Sequence, residues 1–128
     1  IVAMFQMYLE YYGVPKENLI VMSEYKGLQP DIVWVHNGYA VVLFEIMDPD
    51  VNIRDENVRR RLESLLIYPY IKIARPWYVV LTDGISLYIY SSKIYPTQLR
   101  VGWGMRGIFQ GLFYLEALVE VNIGRFQL

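Results

Sequence analysis

Residues 29–48 read QPDIVWVHNGYAVVLFEIMD. Two runs rich in β-branched and aromatic residues flank Asn37-Gly38. They predict two antiparallel strands, residues 31 to 35 and 39 to 47, joined by a tight turn. Each strand carries one acid. Asp31 follows Pro30, and Glu45 stands near the end of an apolar run. An acid in so apolar a strand costs free energy unless something pairs it. Two acids on paired strands suggest a metal site, and Met47 stands two places after the second.

Strand side chains alternate between faces, so register decides whether the acids meet. With a two-residue turn, Asn37-Gly38, Asp31 pairs with Phe44 and the two acids point to opposite faces. With a three-residue loop, His36-Asn37-Gly38, Asp31 pairs with Leu43. Asp31, Leu43, Glu45 and Met47 then share one face. Turn chemistry permits both: Asn-Gly suits the two-residue turn, and Gly38 supplies the left-handed residue that ends a three-residue loop. The three-residue loop is the expected register. A four-residue loop over Gly27 to Pro30 would add Lys26, opposite Asp31, and Glu24, opposite Val33, to the same face.

The remainder of the chain predicts an α/β or α+β fold around a mixed sheet, ordered helix, three strands, helix, two strands, helix. Val2, Phe5, Tyr8, Leu9 and Tyr12 recur at helical spacing, and Gly13 and Pro15 stop that helix. NLIVMSEYK predicts a strand. Val58, Leu62, Leu65 and Leu66 mark a helix of residues about 54 to 67, capped by Asn52 or Asp55 and ending near Tyr68, before Pro69. WYVVLTDGISLYIYSS predicts a hairpin around Asp83-Gly84. A looser stretch with Gly102, Gly104 and Gly107 leads to a last helix over IFQGLFYLEALVEV.

The 128 residues, 55% hydrophobic and 20% charged, suffice for a single domain over 1–128 with its own core. A formal net charge of −1 provides no global basic field, so a nucleic acid would have to meet a local basic patch. The absence of cysteine excludes disulfides and thiolate zinc sites, and one histidine excludes a His-rich metal centre. No apolar run approaches the roughly 20 residues of a membrane span. IVAMFQMYL lacks a basic leader and a cleavage site, so a cytoplasmic soluble domain is expected. A chain starting at Ile1 suggests a segment of a longer coding sequence.

QPDIV followed 14 residues after its acid by the acid of FEIM, on adjacent strands after a helix, resembles the PD-(D/E)xK nuclease superfamily. Within it, LEYYGVPKENLIVM, QPDIVWVHNGYAVVLFEI and RRRLESLL…WYVVLTDGISLYIYSS are similar to the N-terminal nuclease domain of type I restriction enzyme R subunits. The likeness spans roughly residues 8 to 92. It implies a restriction-endonuclease-like core, a DNA substrate and a Mg²⁺ (or Mn²⁺) cofactor held by Asp31 and Glu45. Met47 stands where the family has its catalytic lysine. The family's Gln-x-x-x-Tyr helix motif falls on Arg61-x-x-x-Leu65; a Gln110…Tyr114 pair lies in the wrong element.

Carboxylates suit Mg²⁺, a hard ion that prefers oxygen ligands. The ion polarises the scissile phosphate and lowers the pKa of a bound water. A neighbouring lysine would orient that water and stabilise transition-state charge, and losing one such donor typically costs on the order of 10²–10³ in rate. Methionine can do neither, although it fills irregular gaps well. By the parity argument Lys26 is the first substitute cation and Lys72 the second. Arg54, Arg59, Arg60 and Arg61 make a basic helix whose ordinary role is a solvated face. Arg54 and Arg61, seven residues apart, could grip phosphates together. Glu10 could approach the site, and His36 is expected in the loop. The expected function is a DNA-binding nuclease-fold domain with a degenerate site. The rival is a non-catalytic module of the same fold, binding nucleic acid or serving assembly. VGWGMRGIFQGLFYL, rich in apolar groups, could form a homodimer interface.

Overall fold

The computed structural model describes residues 2–11, 13–21, 24–92 and 97–127. Among these, six strands form one sheet in sequence order: β1 (Leu19–Val21), β2 (Ile32–His36), β3 (Tyr39–Ile46), β4 (Tyr78–Thr82), β5 (Ser86–Ser91) and β6 (Thr97–Trp103). Neighbours are antiparallel except β3 and β4, which are parallel. Parallel neighbours need a long crossover. Here it runs through α2 (Glu56–Leu62), a π-helical segment (Glu63–Ile67) and α3 (Tyr68–Ala74). α1 (Val2–Tyr11) and α4 (Gly104–Gln127) complete a mixed α/β architecture.

The sheet separates two apolar clusters. On one face Phe5 and Leu9 of α1 and Ile108, Leu112, Leu115 and Val119 of α4 bury against Ile32, Phe44, Val80 and Ile89. On the other, Ile67, Tyr70, Ile71 and Ala74 of the crossover helices bury against Val33, Leu43, Val79, Leu81, Tyr88 and Tyr90. Except at one point in β3, successive strand residues go to opposite clusters, as a sheet covered on both faces requires.

The β2–β3 connection differs from the expected three-residue loop. His36 pairs with Tyr39, and the turn is Asn37-Gly38, with φ of 52° and 76°. Positive φ at both central residues is the hairpin turn that Asn-Gly favours. The register then breaks: Val35 pairs with Ala40 but Trp34 pairs with Val42, leaving Val41 as an extra residue in β3. Val41 and Val42 both pack into the α1–α4 cluster, whereas Ala40 and Leu43 belong to the other. A β-bulge of this kind reverses parity. Ile32 pairs with Phe44, so Asp31 stands next to Glu45 in the ladder.

The crossover helices also depart from expectation. Asp55 is the N-cap, its Oδ1 accepting from the N–H groups of Asn57 (2.9 Å) and Val58 (3.3 Å). Arg60 is exposed, as expected from the spacing, but Leu65 is 64% exposed and Val58, Leu62 and Leu66 are only half-buried. The helix does not stop before Pro69. A widened turn, in which Tyr68 N–H reaches the Glu63 carbonyl, precedes Pro69 near the start of α3. Pro cannot donate and its ring crowds the carbonyl four residues back in a regular helix; the wider π turn relieves that crowding. The extra residue rotates the phase, so Leu65 turns outward and Ile67 inward.

α1 ends as expected at Gly13, with φ of 104°, where Gly13 N–H bonds the Glu10 carbonyl and Val14 N–H the Leu9 carbonyl, both at 3.0 Å. Tyr12, and Met22 and Ser23 of the expected first strand, lie outside the described residues. The hairpin at TDG turns on Gly84-Ile85, one place later than its expected centre. Asp83 Oδ1 accepts from Ile85 N–H (2.8 Å) and Ser86 N–H (2.7 Å). The glycine-spaced stretch, expected to be irregular, contains β6. Its sequence alternates, Leu99, Val101 and Trp103 against Gln98, Arg100 and Gly102, as a strand requires, and it pairs antiparallel with β5. A Cβ on Gly102 would lie 2.4 Å from the carbonyl oxygen of Gly107, so the glycines let β6 and α4 meet. Gly102→Ala is therefore expected to destabilise the fold by ~1–3 kcal/mol in urea denaturation, the usual cost of overpacking.

Candidate functional site

The two acids named from the sequence come together. Asp31 sits one residue before β2, its backbone N–H donating to the Phe44 carbonyl at 2.9 Å. Its Oδ2 accepts from the backbone N–H of Ile46 at 2.6 Å, which pins the carboxyl across the end of β3. Glu45, half-buried, presents its carboxyl on the same face. Its Oε1 accepts a hydrogen bond from the hydroxyl of Tyr70 in α3.

The electrostatics of the pair follow from burial. The Glu45 carboxyl is pushed up to about 8, chiefly by desolvation. The Tyr70 hydrogen bond works the other way, favouring the ionised form, while the hydrogen bond with Asp31 and its negative charge raise the value again. Burial raises the Tyr70 hydroxyl as well, followed by its bond to Glu45 and the two negative charges, so it remains a donor. No cation is among the groups that set the Glu45 carboxyl. A proton therefore occupies the pair near neutral pH. Two adjacent carboxyls of this kind also fit a hard divalent cation, which could take that proton's place. Among the described residues no group of three metal-ligating side chains forms, so protein ligands would be limited to this pair plus water or substrate oxygens.

The other nominated residues fall elsewhere. Lys26 does not pair with Asp31. Tyr25 bridges Leu28, and Lys26-Gly27 is a tight turn with φ of 51° and 78°. Leu19, Ile20 and Val21 pair with Trp34, Val33 and Ile32, a register in which Lys26 stands at the hairpin tip, its Nζ 5.6 Å from the Tyr25 ring centre. A catalytic Lys26 requires the four-residue loop; Lys26 and Gly27 instead form a two-residue turn, which carries Lys26 away from Asp31. Glu24 is exposed beside that turn and does not pair with Val33. Lys72 is exposed on α3. Glu10 belongs to α1, across the sheet from the acids, and takes a 3.4 Å hydrogen bond from Gln6. His36 is the last residue of β2, not a loop residue. Met47 packs against the apolar cluster on the Glu45 face, its backbone N–H held by the Thr82 carbonyl at 2.7 Å.

The four arginines divide. Arg54 precedes the N-cap and is exposed, so it does not share a helix flank with Arg61, which is exposed at the end of α2. Arg60 pairs with Glu56 at 2.7 Å. Arg59 turns inward instead of being solvated. Its guanidinium lies 4.7 Å from the Tyr88 ring centre and donates to the Ile53 carbonyl (3.2 Å) and the Tyr88 hydroxyl (3.3 Å). Glu63, close to Arg59 at 4.0 Å, accepts from Tyr90.

Tyr70 was not anticipated from the sequence. Its signal was present: Ile67, Tyr70, Ile71 and Ala74 keep helical spacing across Pro69.

A carboxyl whose folded value exceeds its unfolded value, near 4.5, draws a proton into the folded state. Its contribution to stability is complete below about 4.5 and is lost as pH rises toward 8. In metal-free buffer, the melting temperature should fall across this window, and Glu45→Gln should flatten the fall. Tyr70→Phe, which removes the bond that favours ionisation, should move the Glu45 titration to still higher pH, read by carboxyl ¹³C chemical shift.

Comparison of the chain with family models, with curated proteins and with solved structures gives no match.

Proposed function

We propose that the chain is a DNA-binding domain of the PD-(D/E)xK nuclease kind that holds Mg²⁺ between Asp31 and Glu45 and hydrolyses phosphodiesters weakly. The observation that carries this reading is the side-by-side placement of the two half-buried carboxyls at the end of β2 and β3. The restriction-endonuclease-like core belongs to the same proposal. It is supported by a helix, three strands, a helical crossover and a strand added parallel to β3.

In this reading Asp31, anchored by Ile46 N–H, offers a fixed oxygen, and Glu45 offers a second once its proton leaves. Tyr70 orients Glu45 and keeps its ionised form satisfied. When bound, Mg²⁺ supplies charge against the phosphate and acidifies water. Exposed Arg54 and Arg61, on the side of the sheet that carries the crossover, take phosphate oxygens. Met47 brings no charge, and the missing donor leaves transition-state charge uncompensated.

A second reading, a non-catalytic binding or assembly module, draws on two observations. Tyr70 already occupies one Glu45 oxygen, and Met47 packs with apolar neighbours.

A Mg²⁺ titration followed at the Glu45 carboxyl, beside plasmid cleavage, separates the two. The first reading expects Mg²⁺ to shift Glu45, slow cleavage, and a gain for Met47→Lys on the order of 10²-fold. An unmoved Glu45, with no cleavage by either protein while DNA is still bound, selects the second. DNA affinity should fall with salt, and Arg54→Ala with Arg61→Ala should reduce the salt slope by about 2 units; salt-independent binding would remove the phosphate role.

A further inference from the structure

α4 lies against the sheet with Ile108, Leu112, Leu115 and Val119 buried. A surface helix ordinarily carries charge on its opposite face. The outward stripe of α4 carries little. It reads Arg106, Gln110, Phe113, Ala117, Glu120 and Gly124, spaced by four and three residues and all exposed. Phe113 is 65% exposed at the middle of this stripe, and Met105 (71%) and Val121 (53%) stand near its ends.

We propose that this face is a self-association surface, on which α4 packs antiparallel against α4 of a second copy about a two-fold axis through Phe113. With Phe113 at the two-fold axis, each residue before it on the stripe faces the residue equally far after it on the second copy. Arg106 and Glu120 lie seven residues to either side. The axis therefore sets Arg106 against Glu120 of the second copy, and it does so twice. These are the two charged residues on the stripe, and they are opposite in sign. The axis also stacks the two Phe113 rings at the centre, where an aromatic pair is favoured.

An independent observation points to the same occupant. Glu116 and Glu120 are one turn apart, and neither forms an ion pair among the described residues. Burial first, and then the charge of Glu120, push the Glu116 carboxyl up to about 7. Arg106 of a second copy brings a counter-charge to this repelling pair. The formal net charge of −1 sets little repulsion between copies. The surface continues onto α1, where Tyr8 meets Phe109 with ring centres 4.6 Å apart and Met7 and Tyr11 are exposed. Because α4 covers the face opposite the acid pair, association leaves Asp31 and Glu45 open.

Sedimentation velocity of the chain across the micromolar range tests this. The expected species has twice the 15.1 kDa mass of the chain. Phe113→Lys, at an exposed position, should give a monomer with an unchanged circular dichroism spectrum. Arg106→Glu and Glu120→Arg should each weaken association roughly tenfold, as two symmetric ion pairs are lost together. The double variant should recover most of that loss. A monomer at every concentration overturns the proposal. So does a dimer indifferent to Phe113→Lys, or a double variant no better than the singles, which would place the axis elsewhere. A monomeric chain that binds phosphatidylcholine vesicles through Phe113 would overturn it in favour of a lipid surface.

Discussion

The candidate site depends on one extra residue. Val41 enters β3 without a partner in β2, and the two strands exchange parity at that point. Without it, the two-residue turn at Asn37-Gly38 would set Asp31 and Glu45 on opposite faces of the sheet. With it, the acids become ladder neighbours, and Asp31 can reach over to the Ile46 N–H. The bulge is stable because both faces of the sheet are covered. Val41 and Val42 can both turn into the α1–α4 cluster, and the apolar volume there compensates the lost ladder bond.

What the bulge brings together, the crossover closes. α3 lays Tyr70 over Glu45, and the phase shift of the π segment aims it there. A regular helix through residues 56–74 would carry Leu65 inward in place of Ile67 and turn Tyr70 away from Glu45. The same layer is fastened farther along the sheet by Arg59 on Tyr88 and by Tyr90 on Glu63. These polar contacts lie inside an apolar cluster, where their loss would leave unpaired groups at high cost. They fix the helical layer relative to the sheet and so fix the hydroxyl that orients Glu45.

Burial then decides the chemistry of the pair. Desolvation outweighs the Tyr70 hydrogen bond, so Glu45 is neutral where an exposed glutamate would be charged. Proton and cation compete for the same oxygens, and either relieves the repulsion with Asp31. A lysine at residue 47 would add a third way of doing so. Met47 joins the apolar neighbours instead, leaving the balance to the proton, the cation and Tyr70.

Much of this was legible in residue types. Runs of β-branched and aromatic residues marked β2 to β5, Asn-Gly and Asp-Gly marked the hairpins, Asp55 marked a helix start, and an acid embedded in AVVLF–I marked the site. These signals act over a few residues, through backbone preference and solvation, and the chain carries them wherever it folds. Parity, phase and proximity are different in kind. Asn37-Gly38 suits either hairpin register, and nothing local distinguishes Val41 from its neighbours as the extra residue. The π segment before Pro69 likewise arises from what the second face accepts. The sequence by itself determined which acids the protein would commit to an apolar sheet. Only the tertiary structure decided that they meet, because a bulge and a widened helical turn are chosen by the packing of two cores against one sheet.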